Sequence, residues 1–325
     1  MCTADAPAHA AYRNDPDIAR YQLWDLPYTD EQAVESLSSQ DGRDDITLGE
    51  WTTLAIEREG AVIGDVVTHV DPTGGVAEIG YTLARDHHGH GYASEAAAAL
   101  AATLFDEVGV GRVYGELAPE NVASQRVLEA IGLRFEAVTK KSYHWRGEWT
   151  DNMSYAATKD EFDEWRSRVT TVPESVKLVA LDTTNERLYS KLATHHSQER
   201  LVAPMLASFA DALFPEIVNG GPVLPWFRGI EADGEPAGFV MVAEVTEFHP
   251  EPYLWRLLID RRHQRRGIGR LALAELFEHW RAAGHTSALT SWVDGPGSPR
   301  PFYERLGFVP TGELDDDEIV ARITL

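Results

Sequence analysis

The chain contains one cysteine, Cys2, among 325 residues, and no run of 18 apolar residues. One cysteine cannot form a disulfide within the chain, which suits a reducing compartment. Without a long apolar run, no membrane span is predicted. The first eleven residues lack a basic segment followed by an apolar one, so no signal peptide is expected. Together these absences predict a cytoplasmic protein.

Positive charge is also scarce. The sequence has 29 Lys and Arg against 52 Asp and Glu, a formal net charge of -23. Such a field repels nucleic acid and anionic membranes and attracts cations, so neither nucleic acid nor a membrane is an expected partner. The alternative is that the acidity only keeps the protein soluble. The apolar content of 43% is ordinary for a globular protein, and the length suits two domains.

Two short glycine-containing segments stand out. One is Gln-Arg-Arg-Gly-Ile-Gly at residues 264–269, and the other is His-Gly-His-Gly-Tyr-Ala at residues 88–93. Each follows an apolar, strand-like run and precedes a helical segment rich in alanine and leucine. Backbone N–H groups at such a helix start can converge on a phosphate, and the helix dipole adds positive potential. The pattern therefore predicts two sites for a phosphorylated cofactor.

The two halves of the chain repeat each other. Gly132 follows Gly91 by 41 residues, and Gly307 follows Gly267 by 40 residues. Matched motifs at matched spacing indicate an internal duplication. The polar, proline-terminated stretch at residues 170–173 separates the halves, which predicts an N-terminal domain over residues 1–170 and a C-terminal domain over residues 174–325.

Apolar periodicity predicts an α/β fold, with strands and helices alternating around a mixed sheet in each half. Helices are expected at residues 8–19 and 186–195, among others. The strands expected next to the glycine segments cover residues 77–83 and 112–117 in the first half, and 253–259 and 288–293 in the second.

At these residues both halves resemble the GNAT acetyltransferase superfamily, whose signature is Gln/Arg-x-x-Gly-x-Gly/Ala. The second half matches the signature at Gln264, Gly267 and Gly269, and the first at Gly91 and Ala93, with His88 in place of the Gln or Arg. The resemblance implies two tandem GNAT-type domains, each a twisted mixed sheet flanked by helices. It also implies transfer of an acetyl group from acetyl-CoA to a primary amine.

The halves resemble different branches of that superfamily. Residues 78–81, 89–96 and 121–124 resemble acetylases of ribosomal-protein N-termini (the Rim type), whereas residues 198–204 and 254–260 resemble diamine and polyamine acetyltransferases. The resemblance implies a small cationic amine as substrate, with the C-terminal domain as the catalyst and a homodimer as one arrangement. Two alternatives stay open: acetylation of a protein or peptide N-terminus by the first domain, and a non-catalytic acyl-CoA-binding scaffold.

The resemblance also implies the residues that hold acetyl-CoA. In the second half they are Leu257, Ile259, Gln264, Arg265, Arg266, Gly267, Ile268, Gly269 and Arg270. In the first half they are His88, Gly89, His90, Gly91, Tyr92, Ala93 and Asn121. The backbone amides of the second loop are expected to face the coenzyme diphosphate, and three arginine side chains are expected to add charge. Asn121 is expected to contact the pantetheine arm.

For catalysis, the resemblance places Tyr303 as the general acid at the thioester sulfur, where the first half has Leu128. The general base is expected at or just after the third strand of the second half, which is predicted over residues 237–245. Glu244 and Glu247 are the preferred candidates there, and His249 and Glu251 are alternatives. The first half also lacks residues for the strand with which the family's sheet begins, so either this sheet lacks an edge strand or the true start of the chain lies upstream.

Three histidines of the first glycine segment, His87, His88 and His90, resemble a metal site. They coincide with the expected phosphate loop, and no acidic or cysteine ligand accompanies them at suitable spacing. No metal is therefore expected.

Overall fold

The computed structural model describes residues 1–41, 43 and 45–325, which form two compact units, Met1–Ser167 and Arg168–Leu325. Each unit is built around one mixed sheet flanked by helices. The predicted α/β fold class is therefore confirmed. Across the residues described, no helix is both long and apolar enough to cross a membrane.

The first unit has a six-stranded sheet in the order β1-β2-β3-β4-β6-β5. β3 and β4 are parallel, and the other neighbours are antiparallel. The strands are β1 (Trp51–Arg58), β2 (Ala61–Val70), β3 (Val76–Leu83), β4 (Arg112–Leu117), β5 (Arg134–Trp145) and β6 (Glu148–Thr158). The helices are α1 (Ala6–Arg13), α2 (Pro16–Ala19), α3 (Asp30–Ser38), α4 (Tyr92–Thr103), α5 (Val122–Ala130) and α6 (Lys159–Ser167).

The second unit has a seven-stranded sheet in the order β14-β15-β13-β12-β11-β10-β7, together with a small separate hairpin, β8-β9. Here β12 and β13 are the parallel neighbours. The strands are β7 (Val176–Val179), β8 (Ile217–Val218), β9 (Gly221–Pro222), β10 (Pro225–Ala232), β11 (Glu235–Ala243), β12 (Tyr253–Ile259), β13 (Ser287–Trp292), β14 (Val309–Asp315) and β15 (Glu318–Thr324). The helices are α7 (Glu186–Tyr189), α8 (Met205–Leu213), α9 (Ile268–Ala282) and α10 (Arg300–Leu306).

The duplication extends to irregularities of the backbone. The hairpins β1-β2 and β10-β11 change register near their turns, after Ile56 in β1 and after Ile230 in β10. Each turn then has a non-glycine residue and a glycine in the left-handed region. The φ angles are 53° and 81° for Glu59 and Gly60 in the first unit, and 52° and 88° for Asp233 and Gly234 in the second. Such bulges bend and twist a strand pair, so both sheets bend at the same point.

The two sheets differ at one edge. In the second unit β7 pairs with β10, whereas β1, the counterpart of β10, has no strand on its outer edge among the residues described. The first sheet is therefore one strand smaller.

The single helix predicted over residues 8–19 is wrong. The structure has two helices there, α1 and α2, separated at Asn14 and Asp15. Pro16 cannot donate a backbone hydrogen bond, so a helix that starts there loses nothing, whereas one passing through it would lose a bond. The Asp15 carboxylate accepts from the backbone N–H of Asp17 at 2.9 Å and caps the new start.

The helix predicted over residues 186–195 is shorter than expected, because α7 ends at Tyr189. Its continuation makes tertiary bonds instead. The backbone N–H of Ala193 donates to the Asp260 carboxylate at 3.1 Å, and the N–H of Arg261 donates to the carbonyl of Ala193 at 2.9 Å. These bonds join the segment to the end of β12 and replace the helical ones.

A group of buried polar side chains lies between α1 and β2 in the first unit. The imidazole of His9 is fully buried, and neither of its nitrogens has a hydrogen-bond partner within the described part of the chain. The carboxylate of Asp65 accepts from the Tyr12 hydroxyl and lies 3.8 Å from His9 Nε2. Burial, aided by the nearby charge of Arg13, lowers the pKa of His9 from 6.5 to about 4.

This lowered pKa predicts an acid-sensitive first unit. Between pH 6.5 and about 4 the unfolded chain carries a proton on His9 that the folded chain lacks, so stability falls as the pH falls through that window. The loss is about 2 kcal/mol by pH 5 and about 3 kcal/mol by pH 4. Replacing His9 by Phe removes this contribution, so the difference in unfolding free energy between wild type and His9→Phe should change between pH 7.5 and pH 5. Burial raises the pKa of Asp65, but that residue is common to both proteins. Parallel stability curves would contradict the prediction.

Candidate active sites

In both units the two parallel strands part soon after they pair. β12 and β13 are paired at Tyr253–Leu289 and at Leu254–Thr290, and β12 then continues to Ile259 without β13 beside it. Beyond Leu254, the edge of β12 that faces the gap has no β-ladder partner among the residues described. Apart from the carbonyl of Ile259, which accepts from Gln264, its backbone N–H and C=O groups are therefore available to an extended, amide-containing chain. Leu257 and Ile259 lie on this stretch. We call the point where the strands part the apex.

The first unit has the same gap. β3 and β4 pair at three positions, the last being Glu78–Tyr114, and β3 then continues alone to Leu83. The apex of the first unit therefore lies at Glu78 and Tyr114. The apex of the second unit lies at Leu254 and Thr290.

The glycine loops after β3 and β12 follow the same backbone path. In the second loop Arg265 and Gly267 are left-handed, with φ of 63° and 77°, and α9 begins at Ile268. In the first loop Gly89 and Gly91 are left-handed, with φ of 78° and 87°, and α4 begins at Tyr92. The first N–H groups of a helix have no partner inside it, so each loop presents the helix start as a cradle for an anion.

His88 preserves the hydrogen bond that Gln264 makes. The side-chain amide of Gln264 donates to the carbonyl of Ile259 at 3.1 Å, and it also pairs with the amide of Gln198. His88 Nε2 lies 2.8 Å from the carbonyl of Leu83, the matching residue at the end of β3. The substitution in the first motif therefore keeps the contact that ties the loop to its strand.

The side chain of Arg266 does not lie where the sequence suggested. Its guanidinium is buried, donates to the carbonyl of Thr171 at 2.8 Å and lies 2.8 Å from Nδ1 of His263. The expectation that this side chain adds charge at a phosphate is therefore wrong, although its backbone amide remains in the loop. Arg265 and Arg270 are exposed at the start of α9.

The remaining histidines of the first loop make ring contacts. His90 stacks on Tyr92 with ring centroids 5.6 Å apart, and the guanidinium of Arg58 lies 5.3 Å from the same tyrosine ring. Among the residues that the structure describes, no group of three or more His, Cys, Asp or Glu side chains is arranged to hold a metal ion.

Asn121 begins α5, where its side-chain oxygen accepts from the backbone N–H of Ser124 at 3.1 Å. The Tyr81 hydroxyl lies 2.8 Å from both the carbonyl and the hydroxyl of Ser124, so β3 is joined to the start of α5. The expected contact of Asn121 with pantetheine stays a prediction.

Tyr303 lies on α10 and reaches the apex of the second unit. Its ring stacks on Trp292 at 5.7 Å, and its hydroxyl lies near Thr290, which donates to the carbonyl of Leu254 at 3.1 Å. Burial raises the pKa of Tyr303 to about 12, although the polar side chain of Thr290 opposes the shift. The hydroxyl is therefore protonated at neutral pH and can donate to a group held at the apex. Leu128, at the matching place in the first unit, is buried and has no such group.

The candidate bases of the second unit differ in their surroundings. Glu244 is half-buried just after β11, and Glu247 is exposed three residues later. Glu251 instead binds Arg322 at 2.9 and 3.0 Å and accepts from Ser287, so its pKa is held below the usual range. Because its carboxylate is already bonded, Glu251 is the weakest of the candidates.

The sequence reading missed polar side chains on the sheet face opposite α9. Tyr253 alternates along β12 with Leu254, which packs in the core with α9, so Tyr253 points to the other face. Its hydroxyl lies 3.3 Å from the carboxylate of Asp315, and Ser291 hydrogen-bonds to Glu318 nearby. Strand alternation was the available signal for these residues.

Asp211 of α8 pairs with Arg256 of β12 at 3.4 Å. Arg256 Nε is buried without a partner in the part of the chain that is described.

Two family models match the chain. One described as an acetyltransferase (GNAT) domain matches residues 1–134, and one described as the acetyltransferase (GNAT) family matches residues 186–308. In Bacillus subtilis (strain 168), the uncharacterized N-acetyltransferase YnaD is 29% identical over 152 residues, which are 47% of this chain and 86% of YnaD. The uncharacterized protein YkkB of the same organism is 32% identical over 131 residues, which are 39% of this chain and 74% of YkkB.

Two solved structures are also similar to one half of the chain. An acetyltransferase (GNAT family) from Bacillus anthracis is 28% identical and covers 49% of this chain and 91% of its own, with a TM-score of 0.44. Mycobacterium smegmatis RimJ in complex with CoA-disulfide is 24% identical and covers 50% and 80%, also with a TM-score of 0.44. The two matched regions and the repeated sheets lead to one conclusion: the chain consists of two GNAT domains in tandem and belongs to the GNAT family of acetyl-CoA-dependent N-acetyltransferases.

Proposed function

We propose that the second unit transfers the acetyl group of acetyl-CoA to a small cationic primary amine. The observation that carries this proposal is the position of the Tyr303 hydroxyl, which stacking on Trp292 holds near Thr290 at the apex. The diphosphate would lie on the backbone amides of residues 265–270, with Arg265 and Arg270 beside it, and the pantetheine arm would follow the open edge of β12. Gln264 would hold the loop in place rather than touch the coenzyme.

The chemistry is direct attack of the amine on the thioester carbonyl, so a C–N bond forms while the C–S bond breaks. A tyrosine with a pKa of about 12 is a weaker acid than a thiol, whose pKa is about 8.5. Tyr303 therefore stabilises the departing sulfur by donating a hydrogen bond, and the attacking nitrogen replaces any proton that the tyrosine passes on.

An alkylamine with a pKa of about 10.4 arrives as an ammonium ion and must lose a proton before it attacks. We assign this step to Glu244 or Glu247, directly or through a water molecule. The carboxylates of Asp315 and Glu318 on the face opposite α9 favour a cation, whereas Asp211 is partly neutralised by Arg256. A homodimer stays a prediction.

The test is thiol release from acetyl-CoA with a panel of amines, such as spermidine and putrescine, in a full chain whose first loop carries Gly91→Glu. Replacing Tyr303 by Phe should lower kcat about 100-fold, because one hydrogen bond to the developing charge is lost. The Kd for acetyl-CoA should stay within about threefold of the parent, since Tyr303 does not hold the diphosphate. Glu244→Gln and Glu247→Gln in the same assay identify the base.

Tyr189→Phe is the matched control, because Tyr189 is buried and its pKa is also raised to about 12 by burial, but it lies on α7. Its kcat should match the parent. Equal rates for the parent and Tyr303→Phe would remove Tyr303 from the mechanism. Coenzyme binding without thiol release from any amine would favour the non-catalytic scaffold instead.

A further inference from the structure

Glu78 lies at the apex of the first unit. It forms the last parallel pair with Tyr114 before β3 and β4 part, and its carboxylate accepts from the Tyr114 hydroxyl at 3.0 Å. Its neighbours Ala77 and Ile79 are buried with α4, so the side chain of Glu78 points to the opposite face of the sheet. A carboxylate at this point faces the gap on the side away from the helix that begins at the glycine loop.

The groups around Glu78 come from three other strands. His69 of β2 is its register partner, Glu116 lies two residues beyond Tyr114 on β4, and the pKa of Tyr143 on β5 is raised by burial and by both glutamates. Burial and the charge of Glu116 raise the pKa of Glu78, whereas the Tyr114 hydrogen bond and His69 oppose the rise. The surroundings therefore combine carboxylates with aromatic rings, a combination that attracts an organic cation.

We propose that the first unit is a second acetyl-transfer centre, in which Glu78 removes a proton from the acceptor ammonium. The loop carrying Gly89 and Gly91 keeps the backbone path of the second loop, and His88 keeps its bond to the preceding strand. Acetyl-CoA held there in the same way would bring its thioester to the apex. This inference concerns a different unit from the proposed function and does not depend on it.

The proton balance is complete without a tyrosine at the position of Leu128. Glu78 takes one proton from the ammonium, and the neutral amine then attacks the thioester carbonyl. As the C–N bond forms and the C–S bond breaks, the nitrogen loses its second proton, which goes to the departing sulfur. The products are an acetamide and free coenzyme A, and Glu78 returns its proton to the solvent. The ionised form of Glu78 is the active one, so the rate should rise with pH through the pKa of Glu78.

The experiment uses the full chain with Gly267→Glu, which leaves the first loop as the coenzyme site. Spermidine, putrescine and an alanine tripeptide with a free N-terminus serve as acceptors, and thiol release and acetyl-CoA binding are measured. Glu78→Gln should lower the rate about 100-fold with little change in coenzyme Kd. Glu116→Gln should move the acid limb of the pH profile to lower pH, because a charge that raises the pKa of Glu78 is gone. A merely structural role for Glu78 would not produce that displacement.

Glu107→Gln is the matched control, because Glu107 is exposed near the end of the helical segment after α4. It should leave rate and pH profile unchanged. The proposal is overturned if Glu78→Gln keeps the parent rate within about threefold, since a general base contributes at least 100-fold. It is also overturned if the Gly267→Glu chain releases no thiol with any acceptor, or if release persists after Gly91→Glu is added.

Discussion

Glutamate in place of Gly267 is expected to weaken acetyl-CoA binding by the second unit by at least 100-fold. Two effects contribute. Gly267 has a φ of 77°, which costs a residue with a side chain about 1–2 kcal/mol. The new carboxylate would also lie at the helix start, where a negative phosphate 4 Å away repels it by about 4 kcal/mol at an effective dielectric constant of 20. A Cβ at Gly267 meets no atom within 4 Å, so repulsion, not steric conflict, is the larger effect.

Titration calorimetry measures this effect as a change in stoichiometry and Kd. If both units bind, the parent takes up two equivalents of acetyl-CoA and Gly267→Glu takes up one. Gly267→Ala adds the backbone strain without the charge and should lose no more than about 30-fold in affinity. Gly234→Glu places the same side chain in an open, left-handed turn with a φ of 88° and should bind like the parent. Unchanged binding by Gly267→Glu would refute the placement of the diphosphate.

The features of the site that follow local rules could be predicted from the sequence. Glycines at the loop positions and an alanine- and leucine-rich segment after them indicated a helix start, and the structure begins α9 at Ile268 and α4 at Tyr92. The duplication was visible in the sequence, because Gly132 follows Gly91 at nearly the same spacing at which Gly307 follows Gly267. Each of these depends on residues near one another in the chain, where φ preferences and capping decide the conformation.

Features that depend on distant partners could not be predicted. From the sequence, Arg266 is predicted to be a phosphate ligand. In the structure its guanidinium instead donates to the carbonyl of Thr171, which is far away in the sequence. The helix that begins at Glu186 is shorter than predicted because the Asp260 carboxylate accepts from the N–H of Ala193. The sequence identified Glu78 only as part of a motif. Its position matters because β3 and β4 part there, and the sequence of one strand does not determine its register with the next.

Alanine in place of Gly132 should destabilise the first unit more than any of the loop substitutions. Gly132 follows α5 with a φ of 96°, so a side chain costs about 1–2 kcal/mol of strain. A Cβ there would also lie 2.4 Å from Cγ of Trp165, whose indole donates to the carbonyl of Ala130 at 3.2 Å. Displacing a buried tryptophan typically adds about 1–3 kcal/mol. For a unit of this size, a total of about 3 kcal/mol lowers the midpoint of thermal unfolding by roughly 9 °C.

Gly307 supplies the control, because it is the corresponding glycine of the second unit. Its φ is 102°, but a Cβ there meets its nearest neighbour, Ile323, at 3.9 Å. Gly307→Ala should therefore cost the strain alone, about 1–2 kcal/mol, and lower the midpoint of its unit by roughly 3–6 °C. Hydrogen exchange measured as a function of temperature reports the unfolding of each unit separately, and so assigns each midpoint to its unit. Equal shifts for the two variants would mean that Trp165 can move aside at no cost, and that strain alone selects glycine after both helices.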